Sequence, residues 1–438
     1  MASRETSFRD RVSLLLGGLE EGREVRAYLR RFEEKNSGCF AVVKVGGAVL
    51  EQGLDDLADA LALLQFLGLP PVVVYGSGPQ LDRSLAAAGI REERCDGMRI
   101  TPEEAVPLVA EAASHAGLKL AEALRERGAH AVTPQSALRA RLLDRDRYGL
   151  VGEPVSADKL GIEQLLRAGV IPLIGCVHAD ERGQLLNVNA DNVARCMVLS
   201  LRPRKVVFVT GTGGLLDGEG SLIDSINLAE EGDELFAQPW LSGGMRHKVQ
   251  EIASLLSELE PSASVSVTGP AAMVRELFTH SGAGTLIRQG ERIERRGPEA
   301  AKELEPLLEE AFGRKLKRSY WTDFAPDYVL ASERGRAGAV IGSIAGVPLL
   351  DKFAVSESAR GEGLAKSLWQ RLHDAAPELV WRSRRENPFN GFYSAQADGF
   401  VRRGPWSVYW TGSGLEARIE ALADELGSRP PDFEGDVG

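Results

Sequence analysis

The sequence predicts two successive α/β domains: a largely parallel sheet with helical crossovers, then a smaller domain organised around a strand, a glycine-rich turn and a helix. Three observations carry this. Short Val-rich runs at 40–45, 71–75, 170–174, 205–210 and 264–268 alternate with helical stretches at 54–67, 105–127 and 250–259. Such alternation is the pattern of buried parallel strands joined by helices. A polar stretch rich in turn residues, 287–298, then interrupts the pattern. Beyond it, a strand at 353–355 runs through Arg360-Gly-Glu-Gly363 into a helix at 364–372. That order builds a backbone cradle for a pyrophosphate, because glycines let the backbone approach and the helix N-terminus offers free N–H groups.

The 438 residues suffice for two or three domains with sizeable cores. A net charge of −11 argues against a general nucleic-acid or acidic-membrane surface, so anionic small molecules must be held by local cation clusters. Cys39, Cys95, Cys176 and Cys196 are scattered without metal-ligand spacing and read as free thiols in a reducing compartment. No charged-then-apolar leader pattern and no apolar run of ~18 residues is seen, so the expectation is a cytoplasmic protein with no membrane partner. Residues 8–35 have helical apolar spacing and define an N-terminal helical segment, 1–36.

In the first domain, one strand ends in Lys44-Val-Gly46-Gly47 and its neighbour in Gly76-Ser77-Gly78-Pro79. Two such turns at the carboxyl ends of parallel strands put phosphate-sized holes where open α/β sheets bind ligands. Neither turn has the Walker or the GxGxxG dinucleotide spacing, and either alone reads equally well as a strand-ending turn. Gly97-Met-Arg99 places a guanidinium beside a turn, where its fork can grip a carboxylate. Asn187-Val-Asn-Ala-Asp191 precedes a helix, so Asp191 is a helix cap or a catalytic carboxylate. Gly243-Gly-Met-Arg-His-Lys248 brings a second lysine to a helix start. Singly, Arg99 and Lys248 read as solvated surface cations; the ordered set reads differently.

That set, with Gly149-Leu-Val-Gly-Glu-Pro and Gly213-Gly214-Leu-Leu-Asp-Gly, resembles the amino acid kinase family and its N-acetylglutamate kinase branch. The resemblance implies a three-layer αβα sandwich. ATP with Mg²⁺ would lie at Gly46, Gly47, Gly76, Ser77, Gly78, Gly213 and Gly214, and N-acetylglutamate at Arg99 and Asn187. Lys44 and Lys248 would neutralise the transferring γ-phosphoryl group, and Asp191 would orient both lysines; no side chain is assigned to the metal. Phosphoryl transfer needs mainly positioning and charge stabilisation, so this inventory is chemically sufficient. Two positions depart from the family pattern: Ser77 replaces a glycine, and Gly211 stands where an acid often follows the strand.

In the second domain Lys352, Arg382 and Arg384 supply cations matched to a dicarboxylate, and Asn387 adds a neutral hydrogen bond. Side-chain alternation puts Arg382 and Arg384 on one face of a strand. The combination Leu350-Asp-Lys352-Phe353, Arg360-Gly361-Glu-Gly363, Trp381-Arg382-Ser-Arg384, Asn387-Pro388 and Phe392-Tyr393 resembles the GCN5-related acetyltransferases, in the form found in vertebrate-like N-acetylglutamate synthases. This implies an α+β domain binding acetyl-CoA through Ala354, Val355, Arg360, Gly361, Gly363, Leu364 and Ala365. Glutamate would be held by Lys352, Phe353, Arg382, Arg384 and Asn387. Backbone N–H groups at 353–355 would polarise the thioester carbonyl, and Tyr393 would protonate the departing thiolate. Trp321, Trp369, Trp381, Trp406 and Trp410 read as core packing.

The two implied reactions are consecutive: acetyl-CoA acetylates glutamate, and ATP phosphorylates the product. The expected organisation is 1–36 helical segment, 37–290 kinase domain, 291–299 linker and 300–438 acetyltransferase domain, in a homo-oligomer (dimer or tetramer). The alternative is a synthase whose silent kinase-like domain senses arginine, which Ser77 and Gly211 favour. The N-terminal helix and Gly282-Ala-Gly284-Thr285 suggest L-arginine as a feedback effector, although no acidic partner near that turn is evident from the sequence.

Overall fold

The structure, a computed structural model, describes residues 39–260, 263–278, 283–359 and 363–435. The expected helix at 1–36, Gly282, and Arg360 and Gly361 of the cradle lie outside these residues. The chain divides into two units that meet in sequence at Gln289 and Gly290.

The main sheet of the first unit runs Ser225–Asn227, Thr285–Arg288, Ser264–Thr268, Lys205–Val209, Ala41–Val45, Val72–Tyr75, Ile171–Ile174 and Ala131–Val132 from edge to edge. Neighbours from Ser264–Thr268 to Ala131–Val132 are parallel, and Thr285–Arg288 returns antiparallel to Ser264–Thr268. Central residues on both faces are inaccessible: Val42, Val72 and Val74 pack against helices Ala190–Leu201 and Gly243–Ser257. Val43, Val73 and Val207 pack with helices Leu54–Phe66 and Val106–Glu126 on the opposite side. Burial on both faces is why these strands read as unbroken valine runs without polar alternation. The result is a three-layer αβα sandwich. A smaller sheet, Leu138–Leu142, Val151–Ala157, Leu185–Val188 and Val177–Ala179, accompanies it.

The second unit is a seven-stranded sheet in the order Ile293–Arg296, Tyr328–Ser332, Ala337–Ile344, Val347–Val355, Leu379–Arg384, Trp406–Thr411 and Gly399–Arg403. Helix Leu364–Ala375 covers one face. Helices Glu305–Phe312 and Ile419–Ser428 cover the other. The span expected as a linker, 291–299, is folded: Ile293–Arg296 is the edge strand, paired antiparallel with Tyr328–Ser332. Glu291 is buried and accepts from Arg336 Nε at 2.5 Å, so this stretch contributes sheet where a spacer was expected.

Two irregularities shape the second sheet. Val347–Val355 and Leu379–Arg384 are its one parallel pair, and they register only at Leu349–Val380 and Leu350–Trp381 before parting. Along Val347–Val355 a bulge sets Val340 opposite Lys352 and Ile341 opposite Leu350, so Asp351 is the extra residue.

Candidate active sites

The first site forms where the strands Ala41–Val45 and Val72–Tyr75 end. Lys44 Nζ lies 2.7 Å from Asp191 Oδ1, in a pair whose side chains are 13% and 25% exposed. Asp191 is in the first turn of helix Ala190–Leu201, but the cap of that helix is Asn189, whose Oδ1 accepts the Asp191 N–H at 3.0 Å. The capping role is therefore filled by a neighbour, and the Asp191 carboxylate is directed to a lysine. Burial lowers the pKa of Lys248, repulsion from Lys44 lowers it further, and Asp191 opposes both. Lys44, Asp191 and Lys248 thus share one electrostatic environment.

The two glycine turns interlock beside this triad. A Cβ on Gly47 would lie 2.8 Å from Pro79 Cδ, 2.9 Å from the Gly78 nitrogen and 3.0 Å from the Gly76 oxygen. Only a residue without a side chain lets the two backbones meet there. Gly78 and Gly213 border open space, as a ligand-facing loop requires. Gly214 does not: a Cβ there would meet Leu222 and Thr285, so it serves loop packing. Ser77 is buried at the N-terminus of helix Gly78–Ala87, where its side chain makes no cap hydrogen bond. The Cys176 thiol donates to the Tyr75 carbonyl at 3.1 Å, and burial pushes its pKa up to about 12. It is no nucleophile.

Arg99 departs from expectation. It stands on a hairpin, Arg94–Cys95 with Met98–Arg99, closed by Asp96-Gly97 with both φ angles positive, the geometry of a two-residue turn. Its guanidinium is held by Asp82 and, at 3.1 Å, by Glu92. Asn187 likewise donates Nδ2 to Thr101 Oγ1 at 2.9 Å. The hairpin tip adjoins the helix of Lys248, since a Cβ on Gly97 would lie 3.7 Å from His247 Nε2. The structure thus brings Arg99 near the helix of Lys248 while pairing it with Asp82, on helix Gly78–Ala87, and with Glu92, just before the hairpin.

In the second unit the parting strands leave Asp351–Val355 without a partner on the Leu379–Arg384 side, consistent with open backbone groups near Phe353, Ala354 and Val355. Gly363, at φ +72°, starts helix Leu364–Ala375, and its carbonyl accepts the Lys366 N–H at 3.0 Å and the Ser367 N–H at 3.2 Å. Phe353 sits in an aromatic cluster with Trp369, Phe389 and Phe392. Tyr393 packs between Trp369, Trp381, Phe389 and Tyr409, and burial raises its pKa, keeping the phenol protonated at neutral pH.

The cations occupy the opposite face of the sheet. Arg382 and Arg384 lie 4.1 and 4.5 Å from the Trp406 ring centroid, so the alternation argument holds and Trp406, expected as core, is a platform for both. Lys352 is buried between carboxylates: Asp351 Oδ2 at 2.5 Å and Asp432 Oδ2 at 2.7 Å. Arg382 donates to the carbonyls of Leu426, Arg429 and Pro430 at 2.8, 2.8 and 3.0 Å. Asn387 is committed to its own turn, with Nδ2 on Ser383 Oγ and Oδ1 accepting from the Phe389 N–H, both at 2.9 Å. Its expected bond to glutamate is therefore not prearranged. Asp351, Asp432, Arg429 and Tyr320 were missed; nothing in their spacing ties residue 432 to residue 352.

Among the described residues no cluster of three or more His, Cys, Asp or Glu is placed to hold a metal, and no helix is long and apolar enough to cross a membrane. All four cysteines are free.

Residues 40–265 match the amino acid kinase family, and residues 289–428 match the N-acetyltransferase of N-acetylglutamate synthase. The acetylglutamate kinase of Xanthomonas campestris pv. campestris is 42% identical over 426 residues, covering 95% of this chain and 100% of that protein. The mitochondrial N-acetylglutamate synthase of Homo sapiens is 30% identical over 405 residues, covering 89% of this chain and 72% of that protein. Among solved structures, N-acetylglutamate synthase from Neisseria gonorrhoeae, complexed with coenzyme A and N-acetyl-glutamate, covers 93% of this chain and 96% of its own. At 21% identity and a TM-score of 0.67 it shares the fold.

Proposed function

We propose a two-step function for this chain, which belongs to the amino acid kinase family and continues into an N-acetyltransferase domain of the N-acetylglutamate synthase type. It acetylates L-glutamate with acetyl-CoA and phosphorylates the N-acetylglutamate so formed with ATP, the opening steps of arginine biosynthesis. The observation that carries the reading is one polypeptide holding both a Lys44–Asp191 pair coupled to Lys248 and a pair of parting strands that carry Lys352, Arg382 and Arg384 and pack Trp381 against Tyr393.

In the first reaction the glutamate nitrogen forms a bond to the acetyl carbonyl carbon and the C–S bond breaks. The amine loses a proton to water, and the thiolate takes one from Tyr393, which burial holds in its protonated form. Backbone N–H groups at 353–355 stabilise the oxyanion. In the second reaction Lys44 and Lys248 face the transferring phosphoryl group, and Asp191 keeps two ammonium groups compatible in one place. Mg²⁺ arrives with the nucleotide.

Glutamate meets Lys352, Arg382 and Arg384, and N-acetylglutamate meets Arg99 and Asn187 once the latter two exchange their partners at Asp82, Glu92 and Thr101 for substrate. L-arginine acts as an effector near Thr285. The acidic residue missed there is Glu276, buried, whose carboxylate accepts the Ala283 N–H at 2.8 Å. The active form is a homo-oligomer in the cytoplasm.

Two separate assays on purified protein test the reading: acetyl-CoA-dependent acetylation of glutamate, and ATP-dependent phosphorylation of supplied N-acetylglutamate. Both rates are expected. Acetylation without phosphorylation would instead establish the synthase with a silent kinase domain. A titration in which arginine neither binds nor alters either rate dismisses the effector.

A further inference from the structure

The segment following the last helix enters the cation cluster of the second site. Asp432 Oδ2 lies 2.7 Å from Lys352 Nζ and 3.5 Å from Arg382 Nη2. Arg429 Nη2 lies 3.3 Å from Asp351 Oδ1, and the Tyr320 hydroxyl donates to Asp351 Oδ2 at 2.6 Å. Lys352 is further bracketed by the rings of Tyr320 and Phe433, 4.8 and 5.8 Å from their centroids. The segment is fixed in place: the Lys317 N–H donates to the Asp432 carbonyl and the Glu434 N–H to the Lys315 carbonyl, each at 2.9 Å. Phe433 packs on Phe312 at 4.8 Å.

Lys352, Arg382 and Arg429 are thus three cations gathered around two carboxylates, Asp351 and Asp432, in a region where Lys352 and Asp351 are 5% and 3% exposed. Of the two carboxylates Asp351 is sealed inside the fold, whereas Asp432 is 18% exposed and touches two of the three cations expected to face glutamate, Lys352 and Arg382. Without it the cluster keeps one negative charge against three positive ones, and Lys352 loses the partner that fixes its direction on the side of Arg382.

We infer that Asp432 is a positioning residue for the acetyl acceptor: it holds Lys352 and Arg382 in the arrangement that receives the glutamate carboxylates. This rests on the acceptor-site reading above. A regular strand-based site is thereby completed by a segment about 80 positions away in the chain, and docking of that segment is required for acceptor binding.

The test is steady-state acetyl transfer by the full chain, with glutamate and acetyl-CoA varied in turn. Asp432→Asn is expected to raise the KM for glutamate about tenfold, leaving the KM for acetyl-CoA and the kinase rate unchanged. Asp432→Glu, which keeps the charge, is expected to recover part of that loss, and Glu434→Gln, on the exposed neighbour, to behave as the parent. A fall in kcat or melting temperature with an unchanged glutamate KM would show a purely structural role and overturn the inference. Should Asp432→Asn fail to accumulate, Asp432→Glu decides alone: a raised glutamate KM supports the inference and an unchanged one overturns it. Arg384→Ala separates the two levels. If it leaves the glutamate KM unchanged, the acceptor-site reading fails; if it raises that KM while Asp432→Asn does not, only the role of Asp432 fails.

Discussion

Replacing Asp191 by asparagine isolates charge from shape at the first site. Asn189, not Asp191, caps helix Ala190–Leu201, so the helix start survives the change. What is lost is the carboxylate 2.7 Å from Lys44 Nζ and the opposing charge that offsets the depressed pKa of Lys248. At an effective dielectric near 20, two unit charges about 4 Å apart interact by about 4 kcal/mol. Side chains 13% and 25% exposed are partly screened and can relax, which reduces the effect to about 2–3 kcal/mol. If that energy is expressed in the transition state, kinase kcat falls about 30- to 150-fold. ADP release with supplied N-acetylglutamate measures it, and glutamate acetylation by the same preparation serves as the internal control. Retention of more than a tenth of the kinase rate, or an equal fall in both activities, would refute the reasoning.

Three further outcomes follow from the same geometry. Because Lys248 must be charged to meet the phosphoryl group and its pKa is lowered by burial, the alkaline fall of kinase kcat sets in below the ordinary lysine range near ~10.4. The same group costs the folded state stability below its folded pKa, and that cost fades as pH rises towards the unfolded value; a kinase limb at the ordinary lysine pKa contradicts this. Gly47→Ala forces the facing turn at Gly76, Gly78 and Pro79 to move, costing about 1–3 kcal/mol and raising the KM for ATP, as thermal melts and ADP release will show. Tyr393→Phe preserves the aromatic packing but removes the acid, so acetyl-transfer kcat falls on the order of 10²-fold with the kinase unchanged; an undiminished acetyl-transfer rate excludes Tyr393 as the proton donor.

How much of this was legible in the sequence follows from what each feature depends on. The central strands were visible because burial on both faces removes polar residues, leaving Val72, Val73 and Val74 as a contiguous run. Lys44 and Asp191 stand at element ends and Lys248 lies in the second turn of a helix opened by two glycines, where local motifs report position well. The partners of the cations were hidden because ion pairs between separate elements leave no periodic trace: Asp82 beside Arg99 and Asp432 beside Lys352 are set by tertiary packing. The span 291–299 looked like a spacer because an edge strand carries charged, exposed residues such as Glu294 and Arg295. Trp406 looked like core for the opposite reason, since a ring that supports two guanidinium groups is indistinguishable in sequence from one packed among aliphatics.

The supernumerary Asp351 has a wider effect than its own contacts. Leu349 belongs to the face that carries the last helix, and in an unbroken strand Phe353 would share that face. Instead Phe353 lies in the aromatic cluster on the other side, while Ala354 returns to the face of Leu349. The strand therefore reverses its phase halfway along, and Lys352 reaches the acceptor face only because the count is off by one. Flattening the bulge while keeping every residue would exchange cation and aromatic between the two faces, whereas deleting Asp351 itself would leave a regular strand with Lys352 and Phe353 on the faces they occupy now.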